Sequence, residues 1–454
     1  MTDFIPPYPK RHPASLGPLD TLNHLRRDFL SIWPENAFER QFMASKIINR
    51  TIFIANCPEV VRYVLVTNHA NYEKKSPLIR KVLAPLLGDG AFVSDGALWQ
   101  KQSALTGPMF SDGQVIGHSD KMWLVIEACG QRWANFVAGD IIPVLPEMRR
   151  LSAAISCRIL FGAQLDEAQA AQLGQSFTDY QTAAEQLDMN TLFGLPSWIP
   201  GIKANKTAKI AKAIHGQIDK LMTEGGGSPD KDTVLARFLT DQKQAGPKYA
   251  LTHEQIRNEL ITLFMAAHEN VATTLAWAWY LISQCPEVEQ RLHDEIEGVL
   301  GQRTAVFGDV AQLHYTRAII KETLRLYPPL PLLSREASAE DTIRKRHVSA
   351  GSIMLVSPWL LHRHKLYWDK PDHFIPERFL PDAPVLPDPF AYIPFSVGPR
   401  ACVAEHFAMA ETLLCLALLA RRFRLRVPSG QTVTHECRLT LRPKDNLLMQ
   451  ITPR

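Results

Sequence analysis

The chain carries seven cysteines, and one of them stands where a thiolate could hold a metal. Cys402 lies in Phe395-Ser-Val-Gly398-Pro-Arg400-Ala-Cys402-Val-Ala404. Gly398 has no Cβ, so the backbone there can turn sharply and approach a flat ligand closely. Pro399 removes an amide and stiffens the turn. Arg400 offers a planar fork of donors that suits a carboxylate. From Val403 to Arg422 the spacing of Phe407, Ala410, Leu414, Ala417 and Leu418 predicts a helix. A thiol at a helix N-terminus meets unpaired amides and the positive end of the dipole, which favour the thiolate. A lone cysteine is ordinarily a small buried hydrophobe. A thiolate held in a tight loop, with Phe395 seven residues ahead, also suits an axial ligand for haem iron.

Two further groups carry chemistry. Ala266-Ala-His-Glu269-Asn270-Val-Ala-Thr-Thr274 puts a carboxylate and an amide in the middle of an apolar helix. They are either polar groups satisfied by their neighbours or the proton-handling lining of a cavity. Glu322 and Arg325 sit three apart on one helix face, ahead of Tyr327-Pro-Pro.

Together these stretches resemble the cytochrome P450 family. F-x-x-G-x-R-x-C-x-A is similar to that family's haem-binding loop, and Phe407-Ala-Met-Ala-Glu411 continues the likeness. The central stretch resembles the family's A-G-x-E/D-T-T, which lies across the haem face where oxygen binds. It departs three times: Ala267 replaces the Gly, Asn270 the first Thr and Val271 the second. The resemblance implies that Glu269 brings protons toward the site and that Asn270 orients water or oxygen. Glu322 and Arg325 match E-x-x-R, with Arg378 of Pro376-Glu-Arg-Phe379 as third member of a structural ion network. Trp99 matches W-x-x-x-R, whose Trp and Arg reach a haem propionate, but Ser103 stands where the pattern has Arg. Arg400, Lys101, Lys74 and Arg335 are the candidates to complete the propionate contacts. His362 and His364 read as solvated or propionate-side histidines, and Arg344-Lys-Arg346 as a charged turn between strands. By the same resemblance the substrate pocket draws on Phe92 and Val93, Leu192–Ile199, Met265, Ala266 and Ala267, Leu332 and Leu333, and Leu439.

The resemblance implies a mainly α chain with small β-sheets. It implies haem b as cofactor and a monooxygenase that inserts one atom of dioxygen into a hydrophobic organic substrate. No dinucleotide fingerprint follows a strand, so NAD(P)H electrons are expected through a separate partner, a ferredoxin with its reductase. That partner would dock on the Cys402 side. The alternatives are a peroxide-driven oxygenase, an oxidative coupling enzyme, or a non-enzymatic haem sensor.

The elements that must position these residues are mostly helical. Thr252-His-Glu-Gln255 has the form of a capping box, opening a helix that Pro286 ends. Lys46 to Asn56 reads as a hairpin turning at Asn49 and Arg50, after an irregular lead-in over 1–45. Strands are predicted after Pro328, around Thr440 and around Leu447. Gly194–Gly201, apolar and turn-rich, reads as a pocket cap or a membrane contact, and residues 224–229 as a linker. One domain is expected over 1–454. Hydrophobic residues make up 46% of 454 and the net charge is +4. Neither supports a nucleic-acid partner. Odd, scattered cysteines argue against a disulfide framework and fit a reducing cytoplasm. No long apolar run opens the chain, so a soluble, bacterial-type protein without a transmembrane segment is expected.

Overall fold

The computed structural model describes residues 3–17, 20–21, 23–24, 28–47, 50–162, 165–184, 204–225, 232–244, 250–301, 303 and 306–454. Two stretches singled out in the sequence, Gly194–Gly201 with its pocket residues 192–199 and most of the 224–229 linker, lie outside them. So does Asn49 of the hairpin turn.

Eleven helices of eleven or more residues dominate the described chain. They are α1 (Pro77–Leu87), α2 (Gly96–Thr106), α3 (Ser119–Trp133), α4 (Val144–Phe161), α5 (Glu167–Ala183), α6 (Ala204–Gly225), α7 (Val234–Gln244), α8 (His253–Gln284), α9 (Pro286–Leu300), α10 (His314–Leu326) and α11 (Glu405–Ala420). The mainly α class expected from the sequence holds.

The 32-residue α8 organises the rest. At ~1.5 Å per residue it is ~48 Å long, about the width of a domain. Its capping box forms as expected: the Gln255 amide donates to the Thr252 hydroxyl, and the Thr252 amide donates to the Gln255 side chain. Pro286 then opens α9. From Val271 to Ser283 every residue of α8 is buried. An element buried all round needs neighbours on all sides, and α8 has α4, α10, α11, α6 and the strand Leu441–Pro443.

A four-stranded sheet runs in the order β1-β2-β7-β4. β1 (Phe42–Ile47) and β2 (Arg50–Ala55) form the expected hairpin, starting four residues earlier than predicted. β2 pairs parallel with β7 (Ile353–Val356), which pairs antiparallel with β4 (Leu333–Glu336). Beyond β4 an isolated antiparallel bridge joins Lys75 to Arg335. β5 (Asp341–Ile343) and β6 (Arg346–Val348) meet at Arg344 and Lys345, both with positive φ, so the charged-turn reading holds. Near the C-terminus β9 (His435–Cys437) pairs with β10 (Leu441–Pro443). A last sheet places β11 (Leu448–Pro453) between β3 (Ile141–Pro143) and β8 (Phe423–Arg426).

Candidate functional site

The Cys402 loop is closed by its own backbone. The Cys402 amide donates to the Phe395 carbonyl at 2.8 Å, and the Ala401 amide donates to Gly398 at 3.0 Å. Gly398 has φ 79°, where a side chain is strained. The close approach expected there is real, but its partner is protein. A Cβ on Gly398 would lie 2.1 Å from the Leu65 carbonyl oxygen, so this glycine seats the loop against the helical turn Tyr63–Thr67.

α11 starts at Glu405, two residues later than predicted, with Ala404 as its N-cap. Cys402 therefore precedes the cap. Its side chain is exposed in the polypeptide alone, yet surrounding chain crowds it enough that burial pushes the thiol up to about 11. The Ala404 amide pulls the other way and loses. Burial thus opposes the thiolate that the helix end is expected to favour, and the charge of a bound metal would favour it.

A cluster of three cations stands behind this loop. Arg335 is 2% exposed and Lys75 8%. Arg400 lies with its guanidinium 4.2 Å from the Trp99 ring centroid. It donates to the carbonyls of Ala91 (3.1 Å) and Ser94 (2.6 Å), while Glu73 and Asp95 stay 3.6 Å from it. Lys75 Nζ sits 4.4 Å over the Phe92 ring. The one hydrogen bond from the Arg335 guanidinium among the described residues is a long one, 3.4 Å to the Ser334 carbonyl. Burial, then Arg335 and Arg400, hold the Lys75 ammonium well below its ordinary value. Burial, then Arg400, bring Arg335 down to about 10. Buried like charges are costly unless anions complete them. The two propionates of haem are such anions, and the donor set fits them.

Two of the predicted propionate partners are corrected. Lys74 is exposed, and only its backbone takes part, accepting from the Glu336 amide. Successive side chains of an extended segment point to opposite faces, so Lys75 is the inward one. Lys101 donates to the Ala250 carbonyl, away from Arg400. Arg335, Arg400 and Trp99 lie together with Lys75 in this cluster.

Between Glu259 and Ser283 only residues 263, 265, 266, 267 and 270 of α8 escape burial, and Ala266 is the one exposed. Positions 263, 266, 267 and 270 recur at helical spacing, so they form one stripe. Asn270 lies on it; Glu269 does not. One residue is ~100° of turn, which carries Glu269 toward α4 and the β9–β10 hairpin. There Arg149 grips its carboxylate with two bonds, 2.9 and 2.6 Å. Thr440 donates at 3.3 Å, and Arg442 stands 3.8 Å away. Burial raises the Glu269 carboxyl, but Arg149 outweighs it and the group stays below the usual carboxylate range. The expected cavity-lining carboxylate is instead a buried, fully paired anion, 1% exposed.

The ion network forms as expected. Arg325 makes two 2.7 Å bonds to Glu322, both fully buried. The Ile375 amide donates to the same carboxylate at 2.8 Å, and Arg378 approaches to 3.5 Å. Arg325 also donates to the carbonyls of His362, Pro371 and His373. His362 and His364, read as solvated or propionate-side, are buried. The turn Pro358–Leu361 rolls them inward, and His362 accepts from the Ile393 amide at 2.9 Å. Burial keeps His362 neutral, with its pKa lowered to about 3.

Of the pocket residues, Val93 is buried, while Phe92, Met265, Leu332, Leu439 and also Phe395 are partly buried against the main core. Leu333 is partly buried against a second core around β2 and β7. Sequence reading missed Lys75, Arg149 and Ser152. The Ser152 hydroxyl lies 2.9 Å from buried Glu411 and 3.4 Å from the Ala267 carbonyl. Lys75 was one position away from legible; nothing local marks Arg149 or Ser152.

The cytochrome P450 family model matches residues 6–450. Cyclooctatin synthase of Streptomyces melanosporofaciens is 30% identical over 396 residues, covering 86% of this chain and 84% of that protein. Cyclooctat-9-en-7-ol 5-monooxygenase of the same organism is 28% identical, covering 84% and 82%. The solved haem domain of cytochrome P450DA superposes with a TM-score of 0.84 over 98% of each chain, at 23% identity. With the family pattern matched along almost its whole length, the chain belongs to the cytochrome P450 family.

Proposed function

We propose that this P450 oxidoreductase is a monooxygenase that places one atom of dioxygen on a hydrophobic substrate. Its electrons come from NAD(P)H through a ferredoxin and reductase. The observation that carries this is the Cys402 loop, whose Arg400 joins buried Lys75 and Arg335 in one cation cluster, in a chain that matches the P450 family over residues 6–450. Cys402 would be the axial ligand, and Lys75, Arg335, Arg400 and Trp99 would hold the propionates. Haem, when bound, activates dioxygen, and a thiolate ligand favours O–O cleavage. The chain's own work is to keep the site dry, to hold charge away from it and to orient what enters. Ala266, Ala267 and Met265 present hydrocarbon. Glu269, held by Arg149, keeps a fixed anion one residue from Asn270, and proton delivery through it requires that pair to open. The Asn270 amide donates and accepts but supplies no acid proton.

The name of one relative, a monooxygenase of cyclooctat-9-en-7-ol, supports a hydrophobic substrate. No helix among the described residues is long and apolar enough to cross a membrane, which is compatible with a cytoplasmic protein. The family match over 6–450 supports one domain.

Two measurements test the reading. The reduced protein under carbon monoxide should show the red-shifted Soret band of sulfur-ligated haem, and Cys402→Ser should abolish it; a band that survives the substitution refutes the assignment. Substrate turnover should need ferredoxin, reductase and NADPH. Asn270 in place of Thr favours one rival, a peroxide-driven oxygenase. Equal turnover on hydrogen peroxide alone would decide for it.

A further inference from the structure

The α8 stripe contains one side chain able to hydrogen-bond, and it is unused. Among the non-buried positions 263, 265, 266, 267 and 270, four are Leu, Met, Ala and Ala; the fifth is Asn270. Two polar neighbours on the same helix are committed elsewhere, while His268 and Thr273 are buried away from the stripe. Glu269 is held by Arg149, and the Thr274 hydroxyl donates to the backbone carbonyl of Asn270 at 2.8 Å. The Asn270 amide group itself makes no hydrogen bond among the described residues.

We infer that Asn270 is a specificity-determining residue whose amide hydrogen-bonds an oxygen already present on the substrate, so that the natural substrate is an oxygenated hydrophobe rather than a pure hydrocarbon. This rests on the monooxygenase reading above. An amide can give two hydrogen bonds and receive two, so it recognises a hydroxyl, an ether or a ketone. It is uncharged, and a single neutral donor does not offset the desolvation of a carboxylate or an ammonium. Covering the stripe with hydrocarbon would strand the amide, costing the desolvation of a buried polar group. Covering it with a molecule that carries one oxygen at that point satisfies both partners. The apolar neighbours bind the skeleton, and the amide fixes its register over the site.

The test compares alcohols with their parent hydrocarbons: borneol with bornane, and geranylgeraniol with its deoxy counterpart. Dissociation constants are measured on the haem-loaded protein from the ferric Soret shift, and by equilibrium dialysis for probes that leave the band unmoved. Asn270→Leu keeps the bulk and removes the polar group. It should weaken alcohol binding about tenfold and leave hydrocarbon binding equal or tighter, with haem content and the carbon monoxide band unchanged. If Asn270→Leu loses haem, Asn270→Ala is read the same way. An alcohol-to-hydrocarbon ratio that is the same in wild type and variant overturns the inference and leaves the hydrophobic-substrate reading standing. If no probe of either kind binds, both fall.

Discussion

Replacing Lys75 by Met should move two stabilities in opposite directions. Met keeps the length of the side chain and removes the charge. Lys75 is 8% exposed beside Arg335 and Arg400, and within the polypeptide burial with those two cations depresses its pKa below the ordinary 10.5. The unfolded chain keeps the proton up to ~10.4, whereas the folded haem-free chain releases it earlier. The unfolded state therefore binds more protons across that window, and haem-free stability rises with pH through it. Lys75→Met removes this slope and relieves Arg335, so the haem-free variant should resist urea better at pH 7. Haem binding reverses the sign. Propionates restore the proton, and a charge-assisted bond to one is worth ~1.5–3 kcal/mol. Its loss should speed haem transfer to an acceptor apoprotein by roughly ten- to 150-fold. Urea melts of haem-free protein at pH 7 and 9.5, with haem-transfer rates, read the two effects separately. A variant that is less stable without haem and loses haem no faster would show that Lys75 serves packing alone, and the propionate argument would fail.

Three other outcomes follow from the geometry. Glu322→Ala leaves fully buried Arg325 with only carbonyl partners, so it should cost ~3–5 kcal/mol and yield protein without haem, whereas Arg378→Ala, its contact being 3.5 Å, should cost much less; a haem-replete Glu322→Ala protein contradicts this. Burial raises the Glu411 carboxyl to about 8 against a pull from Ser152, so the folded state binds more protons than the unfolded one from ~4.3 upward. Stability should therefore fall as pH climbs to about 8, and Glu411→Gln should flatten that slope, gaining on wild type on the order of 5 kcal/mol at pH 9 in denaturant titrations; parallel pH profiles would refute it. Gly398→Ala forces a Cβ onto the Leu65 carbonyl at 2.1 Å and strains a φ of 79°; a melt within a degree of wild type would show that the loop yields freely.

What the sequence made legible is chemistry packed into short spacings. Cys402 with Gly398 and Arg400, Glu322 with Arg325, and Thr252 with Gln255 each declare themselves within ten residues, because loop closure, one helical turn or one cap fixes their geometry. The cation cluster is half legible. Arg335 and Arg400 can be named, but choosing Lys75 over Lys74 needs the parity of an extended segment, which is set by its bridge to Arg335, 260 residues away. The Glu269 partner is hidden for the same reason: Arg149 lies 120 residues upstream on another helix. The histidines mislead because a polar residue beside a polar turn reads as solvated, until packing buries it and backbone groups satisfy it.

The three departures from the family pattern on α8 are equal in the sequence and unequal in the structure. Val271 is 3% exposed and faces the core, so its exchange for Thr concerns packing. Ala267 lies on the unburied stripe, and its carbonyl is within 3.4 Å of the Ser152 hydroxyl, so a methyl group there shapes the wall without adding a donor. Asn270 alone changes hydrogen-bonding capacity on the unburied side. Glu269 beside it is locked by Arg149 on a different face. A helix advances ~100° per residue, so neighbours in sequence are assigned different jobs. The buried, paired carboxylate and the amide of the unburied stripe on this turn cannot be the same group, and a substitution at one should leave the other's contacts intact. Asn270→Leu and Arg149→Met are therefore expected to act independently, the first on ligand binding and the second on the Glu269 charge; strong non-additivity in a double-mutant cycle would mean that the two faces communicate through the helix itself.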